Sequence, residues 1–206
     1  MVLPGERRNM RDSKNNVLYF VRIIVVLTLI TMLLAALLAL VNDVTKDVIA
    51  ENDRKKTEEA VKGLFPDAES PEAIELAVNC NDTAFGQLFE VKSGEETIGY
   101  YASVNPVGFK GEINMLVGLD TEGKICGVRI LSMNETVGIG DAVKDEGFLS
   151  GFIGKSGSVE YVKGGGEGAG QMDGISGATY SSKAVIVGCN AALTAYAAYI
   201  SESGVQ

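Results

Sequence analysis

The residues best suited to chemistry in this chain lie in the segment Asp173-Gly174-Ile175-Ser176-Gly177-Ala178-Thr179. Gly177 and Ala178 are small enough to let a bulky group approach the backbone, and a helix is predicted to begin at about Thr179. A helix N-terminus offers unpaired N–H groups and a positive dipole end, which favour a phosphate. A phosphate ester is therefore one use of the Thr179 hydroxyl, with Asp173 placed to orient it or to hold a metal ion during the transfer. The other use is a helix cap by Thr179 or Ser176, and local physics alone favours the cap.

A second segment, Glu135-Thr136-Val137-Gly138-Ile139-Gly140-Asp141, follows a predicted strand and by itself indicates an ordinary turn.

The glycine-rich residues 163–170 indicate a flexible surface loop. They contain no Gly-Lys-Ser/Thr and do not join a strand to a helix, so neither a P-loop nor a dinucleotide-binding fingerprint is present.

Composition narrows the possible chemistry. Histidine is absent, which excludes the usual general base and every Ser-His or Cys-His nucleophile pair. Cys80, Cys126 and Cys189 have no C-x-x-C spacing, so zinc and iron–sulfur sites are not expected. Isolated thiols are favoured over a disulfide, although a pair stays open. We therefore predict no catalytic side chain and no resident metal, and assign any reaction to a bound cofactor.

The net charge of −9 is unevenly divided, with +3 in residues 1–22 and −12 in the remainder. An acidic body argues against nucleic-acid binding, because phosphate backbones are held mainly by Lys and Arg.

Residues 23–41 form a run of 19 uncharged residues, of which thirteen are Leu, Ile or Val. At 1.5 Å per residue the run spans about 28 Å, close to the roughly 30 Å core of a bilayer. We predict a retained transmembrane helix at residues 17–41 and, because the positive flank is N-terminal, a cytoplasmic tail at residues 1–16. A cleaved signal peptide is the alternative, but its apolar core would normally be shorter.

The helix and strand patterns after the apolar segment predict an α+β fold with an antiparallel sheet and packed helices. A helical stalk is expected at residues 42–66, ended by Pro66, and one extracytoplasmic domain at residues 67–206. Its predicted strands are residues 85–91, 97–104, 113–119 and 125–133, with a hairpin loop at residues 120–124 in which Gly123 can take a positive φ. Asp141 is expected to cap a short helix. The apolar helix from about residue 179–182 to about residue 200 is expected to pack on the sheet and not to span the membrane, with Ser181 or Ser182 as further candidate caps.

The D-G-I-S-G-A-T segment resembles the D-x-x-S/T-G-A-T flavinylation motif of the FMN-binding domains in the G subunit of the Rnf electron-transport complex and the C subunit of sodium-pumping NADH:quinone reductase. The Glu135–Gly140 segment is similar to the family's E-T-P-G-L-G segment. Val137 stands where Pro is usual, so the φ of this turn is not fixed by a proline ring, and Ile139 stands where Leu is usual.

This resemblance implies FMN joined through its phosphate to Thr179 by a metal-dependent flavin transferase. It also implies two groups of cofactor-binding residues. The group at the ring or ribityl chain comprises Glu135, Thr136, Gly138, Ile139 and Gly140, and the group around the phosphate comprises Asp173, Ser176, Gly177 and Ala178.

In function, the resemblance implies a single-pass subunit of the cell membrane that relays electrons within a ferredoxin- and NAD-linked, ion-translocating complex. Its partners would be multi-spanning and iron–sulfur subunits, the transferase during maturation, and membrane lipid. The chain length favours the Rnf protein over its counterpart in the quinone reductase. A membrane-tethered binding domain without a redox role and a stand-alone flavin reductase are the remaining alternatives.

Overall fold

The computed structural model describes residues 4–66, 68, 71–164, 168 and 170–204. The chain divides into two compact units, Met1–Arg54 and Lys55–Gln206. Helix α1 is assigned to Pro4–Leu64. The large apolar side chains of the first unit, from Leu18 to Ile49, are all exposed. This segment is long and apolar enough to cross a membrane.

The second unit is built on a five-stranded antiparallel sheet in the order β1-β2-β3-β4-β5. Its strands are β1 Glu72–Leu76, β2 Phe85–Ser93, β3 Glu96–Val104, β4 Ile113–Leu119 and β5 Ile125–Met133. A 3-10 helix, Gly140–Lys144, and helix α2, Glu146–Ser150, follow. A parallel pair of short strands, β6 Glu160–Val162 and β7 Gln171–Asp173, precedes helix α3, Thr179–Ser203.

Alternating side chains along the strands supply two separate cores, one on each face of the sheet. On β4, Met115 and Val117 face the larger core, which includes α2 and α3, whereas Leu116 faces the smaller core with Val61 and Leu64 of α1. The last turns of α1 therefore cover one face of the sheet, and α3 covers the other.

The sequence pattern predicted β2 to β5 within two residues of their observed ends, and the α+β class is confirmed. The hairpin loop between β4 and β5 forms as expected, with Gly123 at φ +79° and the Asp120 carboxylate accepting from the N–H groups of Glu122 and Lys124. Strands β1, β6 and β7 were not predicted, because they are short and lack the alternation of apolar residues that identifies a strand. Half of the expected glycine-rich loop, residues 165–167 and 169, lies outside the described residues.

Helix α3 is a core helix, as expected, since Val185, Cys189 and Ala192 on it are fully buried.

The prediction that Asp141 caps the short helix is wrong, because Asp145 caps α2 by accepting from the N–H groups of Gly147 and Phe148. Asp141 accepts from the N–H of Gly138 and so closes a turn. The three cysteines are free thiols.

Candidate functional site

Three loops and the first turn of α3 converge on a cleft of about 170 Å³. The loops follow β3, β5 and β7, so segments far apart in sequence meet at one end of the sheet. The residues that line the cleft are Phe109, Glu135, Thr136, Ile139, Gly140, Gly177, Ala178, Tyr180 and Ser181.

Thr179 is the first residue of α3 and lies between two residues of the cleft wall, Ala178 and Tyr180. The helix has Ala178 at its N-cap position and no side-chain cap. Neither Thr179 nor Ser176 caps it, and Ser181 and Ser182 lie inside the helix, so the capping alternatives are wrong. The side chain of Thr179 is half-buried, and its hydroxyl forms no hydrogen bond with the described part of the chain.

The small residues before Thr179 form a tight turn into α3. Gly177 has φ +85°, a conformation that residues with a Cβ rarely adopt. The Ala178 N–H donates to the Ile175 carbonyl at 3.0 Å, and the Ile175 N–H donates to the buried Ser182 hydroxyl at 3.1 Å. The glycine of the motif is thus required by backbone geometry, and Ser182 ties the turn to the helix.

Glu135 connects two of the loops to α3 from a buried position, with 8 % of its surface exposed. One carboxylate oxygen accepts from the N–H groups of Phe109 at 2.8 Å and Lys110 at 3.3 Å. The other accepts from the Ser181 hydroxyl at 3.0 Å. The side chain lines the cleft, but both of its oxygens are already bound to donors of the protein itself.

Gly108 makes this arrangement possible, because a Cβ at that position would lie 2.2 Å from the Glu135 carboxylate. Any side chain there would push the loop that carries Phe109 away from Glu135.

The turn after Glu135 is closed by backbone hydrogen bonds and contains Val137, a residue that does not fix φ as proline does. The Thr136 carbonyl accepts from the N–H groups of Ile139, Gly140 and Asp141, at 3.2, 2.8 and 3.3 Å. Val137 itself is 86 % exposed and contributes little to the packing of the turn.

Thr179 itself, Asp173, Ser176 and Gly138 are not among the residues that line the cleft. Asp173 and Ser176 are exposed, and the Asp173 carboxylate accepts from the Gly164 N–H at 2.8 Å. Asp173 instead lines a second, open groove together with Asp145 and Lys155. Asp173 and the Gly177–Ala178 pair of the same motif therefore face different surfaces.

Three cleft residues, Phe109, Tyr180 and Ser181, were missed by sequence reasoning. Tyr180 and Ser181 directly follow Thr179, so their place in the first helical turn could have identified them. Phe109 lies in a connection between strands, 26 residues before Glu135, and no local pattern marks it.

The cleft is suited to a largely apolar group. Its rim carries exposed apolar side chains, Phe109 at 64 %, Ile139 at 52 % and Tyr180 at 70 %. Such exposure of neighbouring apolar residues is typical of binding sites. Its volume is below the roughly 300–1,000 Å³ of pockets that enclose a ligand, so an occupant would remain partly exposed. The carboxylate of Glu135 is held in place, and the lining residues include no histidine or lysine that could move a proton.

The fold and the cleft can be compared with known proteins. Residues 108–194, which include the cleft and most of α3, match the family model described as an FMN-binding domain. The chain also has the fold of the Shewanella oneidensis NqrC crystal structure, with a TM-score of 0.50 at 19 % identity over 68 % of this chain and 72 % of that one.

Two relatives match over most of their length. The chain is 33 % identical to the G subunit of the Na⁺-translocating ferredoxin:NAD⁺ oxidoreductase complex of Acetobacterium woodii, covering 83 % of this chain and 88 % of that protein. It is 30 % identical to the G subunit of the ion-translocating oxidoreductase complex of Methanosarcina acetivorans, covering 86 % and 92 %. With an FMN-binding domain and this extent of similarity, the chain belongs to the family of G subunits of ion-translocating oxidoreductase complexes.

Proposed function

We propose that this chain carries FMN as a phosphoester on Thr179 and relays electrons as a membrane-anchored subunit of an ion-translocating oxidoreductase complex. One observation supports the attachment site. Thr179 is the first residue of α3, next to the cleft, and its hydroxyl forms no hydrogen bond with the described part of the chain. A structural hydroxyl at a helix start would normally cap the helix, and this one does not.

The start of α3 also suits the phosphate of the ester. The first N–H groups of a helix have no intrahelical acceptor, and the positive end of the helix dipole lies there. A phosphate on Thr179 would be next to these groups, and the apolar rim residues would contact the ring. When bound, FMN supplies one- and two-electron chemistry of its own, so the protein needs only to hold it and set its environment.

The apolar part of α1 supports a single membrane anchor, with residues 17–41 in the bilayer. The basic residues at the N-terminus favour a cytoplasmic tail and an extracytoplasmic domain. Electrons would pass to and from neighbouring subunits of the complex, and a flavin transferase would attach the cofactor. The class of complex is that of the two relatives, whose similarity extends over most of each chain.

The attachment is tested by expressing the full chain together with a flavin transferase. We expect the denatured band to fluoresce under ultraviolet light and the intact mass to rise by one FMN less water. Thr179→Ala should abolish both signals, whereas Ser176→Ala should retain them because Ser176 precedes the turn at Gly177 and is not part of α3. Thr194→Ala, an exposed threonine further along α3, is the matched control. An unlabelled wild-type chain, or label that survives in Thr179→Ala, would contradict the proposed site.

Membership in a complex is tested separately. A tagged chain should co-purify with multi-spanning and iron–sulfur subunits from membranes of its own source. Purification of a fluorescent chain without redox partners would favour a stand-alone flavoprotein, and purification of a non-fluorescent one would favour a binding domain without a redox role.

A further inference from the structure

Two exposed aromatic rings stand at the mouth of the cleft, and their exposure has no structural explanation within the domain. Phe109 and Tyr180 are 71 residues apart in sequence, yet their ring centroids are 5.9 Å apart with an interplanar angle of 44°. They are 64 % and 70 % exposed. Aromatic side chains gain most by burying their faces, so an exposed pair at a cleft indicates a surface that is covered by something else.

The two chain segments that carry the rings are joined through Glu135, while the rings themselves are exposed. The Glu135 carboxylate accepts from the Phe109 N–H and, through its other oxygen, from the hydroxyl of Ser181, the residue after Tyr180. One buried side chain thus sets the distance between the two chain segments that carry the rings.

We propose that Phe109 and Tyr180 are two walls that hold the FMN ring between their faces. This inference rests on the proposed attachment to Thr179, which places the cofactor next to Tyr180. A planar ring between two others needs centroids about 7 Å apart, since each contact takes about 3.5 Å. The observed 5.9 Å and 44° therefore require an opening of about 1 Å and a rotation that makes the rings parallel, which exposed side chains can achieve about their χ1 and χ2 bonds.

The two walls differ in chemistry, and the difference provides a test. A phenol in contact with an excited flavin quenches its emission, because an electron passes from the phenol to the excited ring and then returns, with no net reaction. A phenyl ring is too hard to oxidise to do this. Tyr180 is therefore expected to quench emission and to shield one face of the flavin, whereas Phe109 is expected only to shield the other face.

The experiment compares flavin emission of the native full chain in detergent with emission of the same sample after denaturation, which keeps the covalent label. It also measures quenching of the native emission by iodide, which reports access to the ring. Tyr180→Phe should raise native emission and leave iodide access unchanged. Tyr180→Leu should raise both, and Phe109→Leu should raise iodide access alone.

Tyr199→Leu is the control for loss of a tyrosine far from the cleft, because Tyr199 is on the same helix about 28 Å from Tyr180 at 1.5 Å per residue. Both wall residues are exposed, so their replacement is not expected to unfold the domain.

Unchanged native emission in Tyr180→Phe, or iodide access in Phe109→Leu equal to that in Tyr199→Leu, would overturn the two-walled arrangement. In either case the denatured band would still fluoresce, and the attachment to Thr179 would stand. Absence of label from the wild-type chain would instead overturn the attachment, and the walls with it.

Discussion

Removal of the Glu135 carboxylate should destabilise the domain because one side chain satisfies three donors. In Glu135→Ala, the buried Ser181 hydroxyl loses its acceptor, while the N–H groups of Phe109 and Lys110, which are nearer the surface, can turn to water. A hydrogen bond to a charged group contributes roughly 1.5–3 kcal/mol, so we expect a total loss of about 2–4 kcal/mol. Glu135→Gln keeps an acceptor and a similar shape, and should cost about 1 kcal/mol through loss of charge.

The assay is equilibrium unfolding in urea of the full chain in a mild detergent, followed by the fluorescence of its tyrosines. All variants are made in a Thr179→Ala background, so that attached cofactor does not contribute to stability. With a slope of about 2 kcal/mol per molar urea, Glu135→Ala should lower the midpoint by about 1–2 M. Glu96→Ala, which removes an exposed carboxylate from the end of β3, is the control and should stay within about 0.5 kcal/mol of its parent. A loss for Glu135→Ala no larger than that of Glu96→Ala would refute the argument that Glu135 joins the loops to α3.

Other substitutions and conditions test the packing around this site. Gly108→Ala should destabilise the same unit by about 1–3 kcal/mol in the urea assay, because its Cβ would collide with Glu135; an unchanged midpoint would show that the loop moves freely. Phe152→Ala should cost about 3–5 kcal/mol, since the ring is fully buried in the larger core, and a loss under about 1 kcal/mol would contradict that burial. Burial raises the pKa of the Cys126 thiol to about 11 and also raises that of Cys189. Because both thiols are more easily ionised when unfolded, stability should be fully present below about pH 9 and should decline as the pH rises towards 11. Unfolding midpoints at pH 8 and pH 10 check this decline, which should be smaller in Cys189→Ala.

The strands next to the site could be predicted where a long segment is rich in apolar residues or alternates between apolar and polar ones. Strands β4 and β5 and the loop with Gly123 between them follow from local pattern, because a strand with one or two buried faces and a turn with positive φ each need particular residue types. Strand β1 is exposed along most of its length, so no apolar alternation marks it. The role of Asp145 as the cap of α2, instead of Asp141, depends on where a five-residue helix begins, and local sequence defines that poorly.

In the candidate site, too, some features follow from local sequence and others depend on the tertiary structure. The D-G-I-S-G-A-T motif and the Glu135–Gly140 segment could be found along the chain, but the joining of Glu135 to Phe109 and Ser181 could not. These residues are 26 and 46 positions from Glu135, and contacts at such separations depend on how the strands pair. The separation of Asp173 from the cleft is also a tertiary result, because it depends on the course of β7 and the turn at Gly177.

By itself, the sequence determined the membrane-length apolar segment, the main strands, and the hydroxyl on which the proposed cofactor attachment depends. Each of these depends on residue types that are close together in the chain. Only the tertiary structure decided that the Thr179 hydroxyl is not a cap, that Glu135 holds two loops to α3, and that Phe109 faces Tyr180. These features arise where β3 and β5 end and α3 begins. The three elements are far apart in the chain, so no short stretch of sequence determines that they meet.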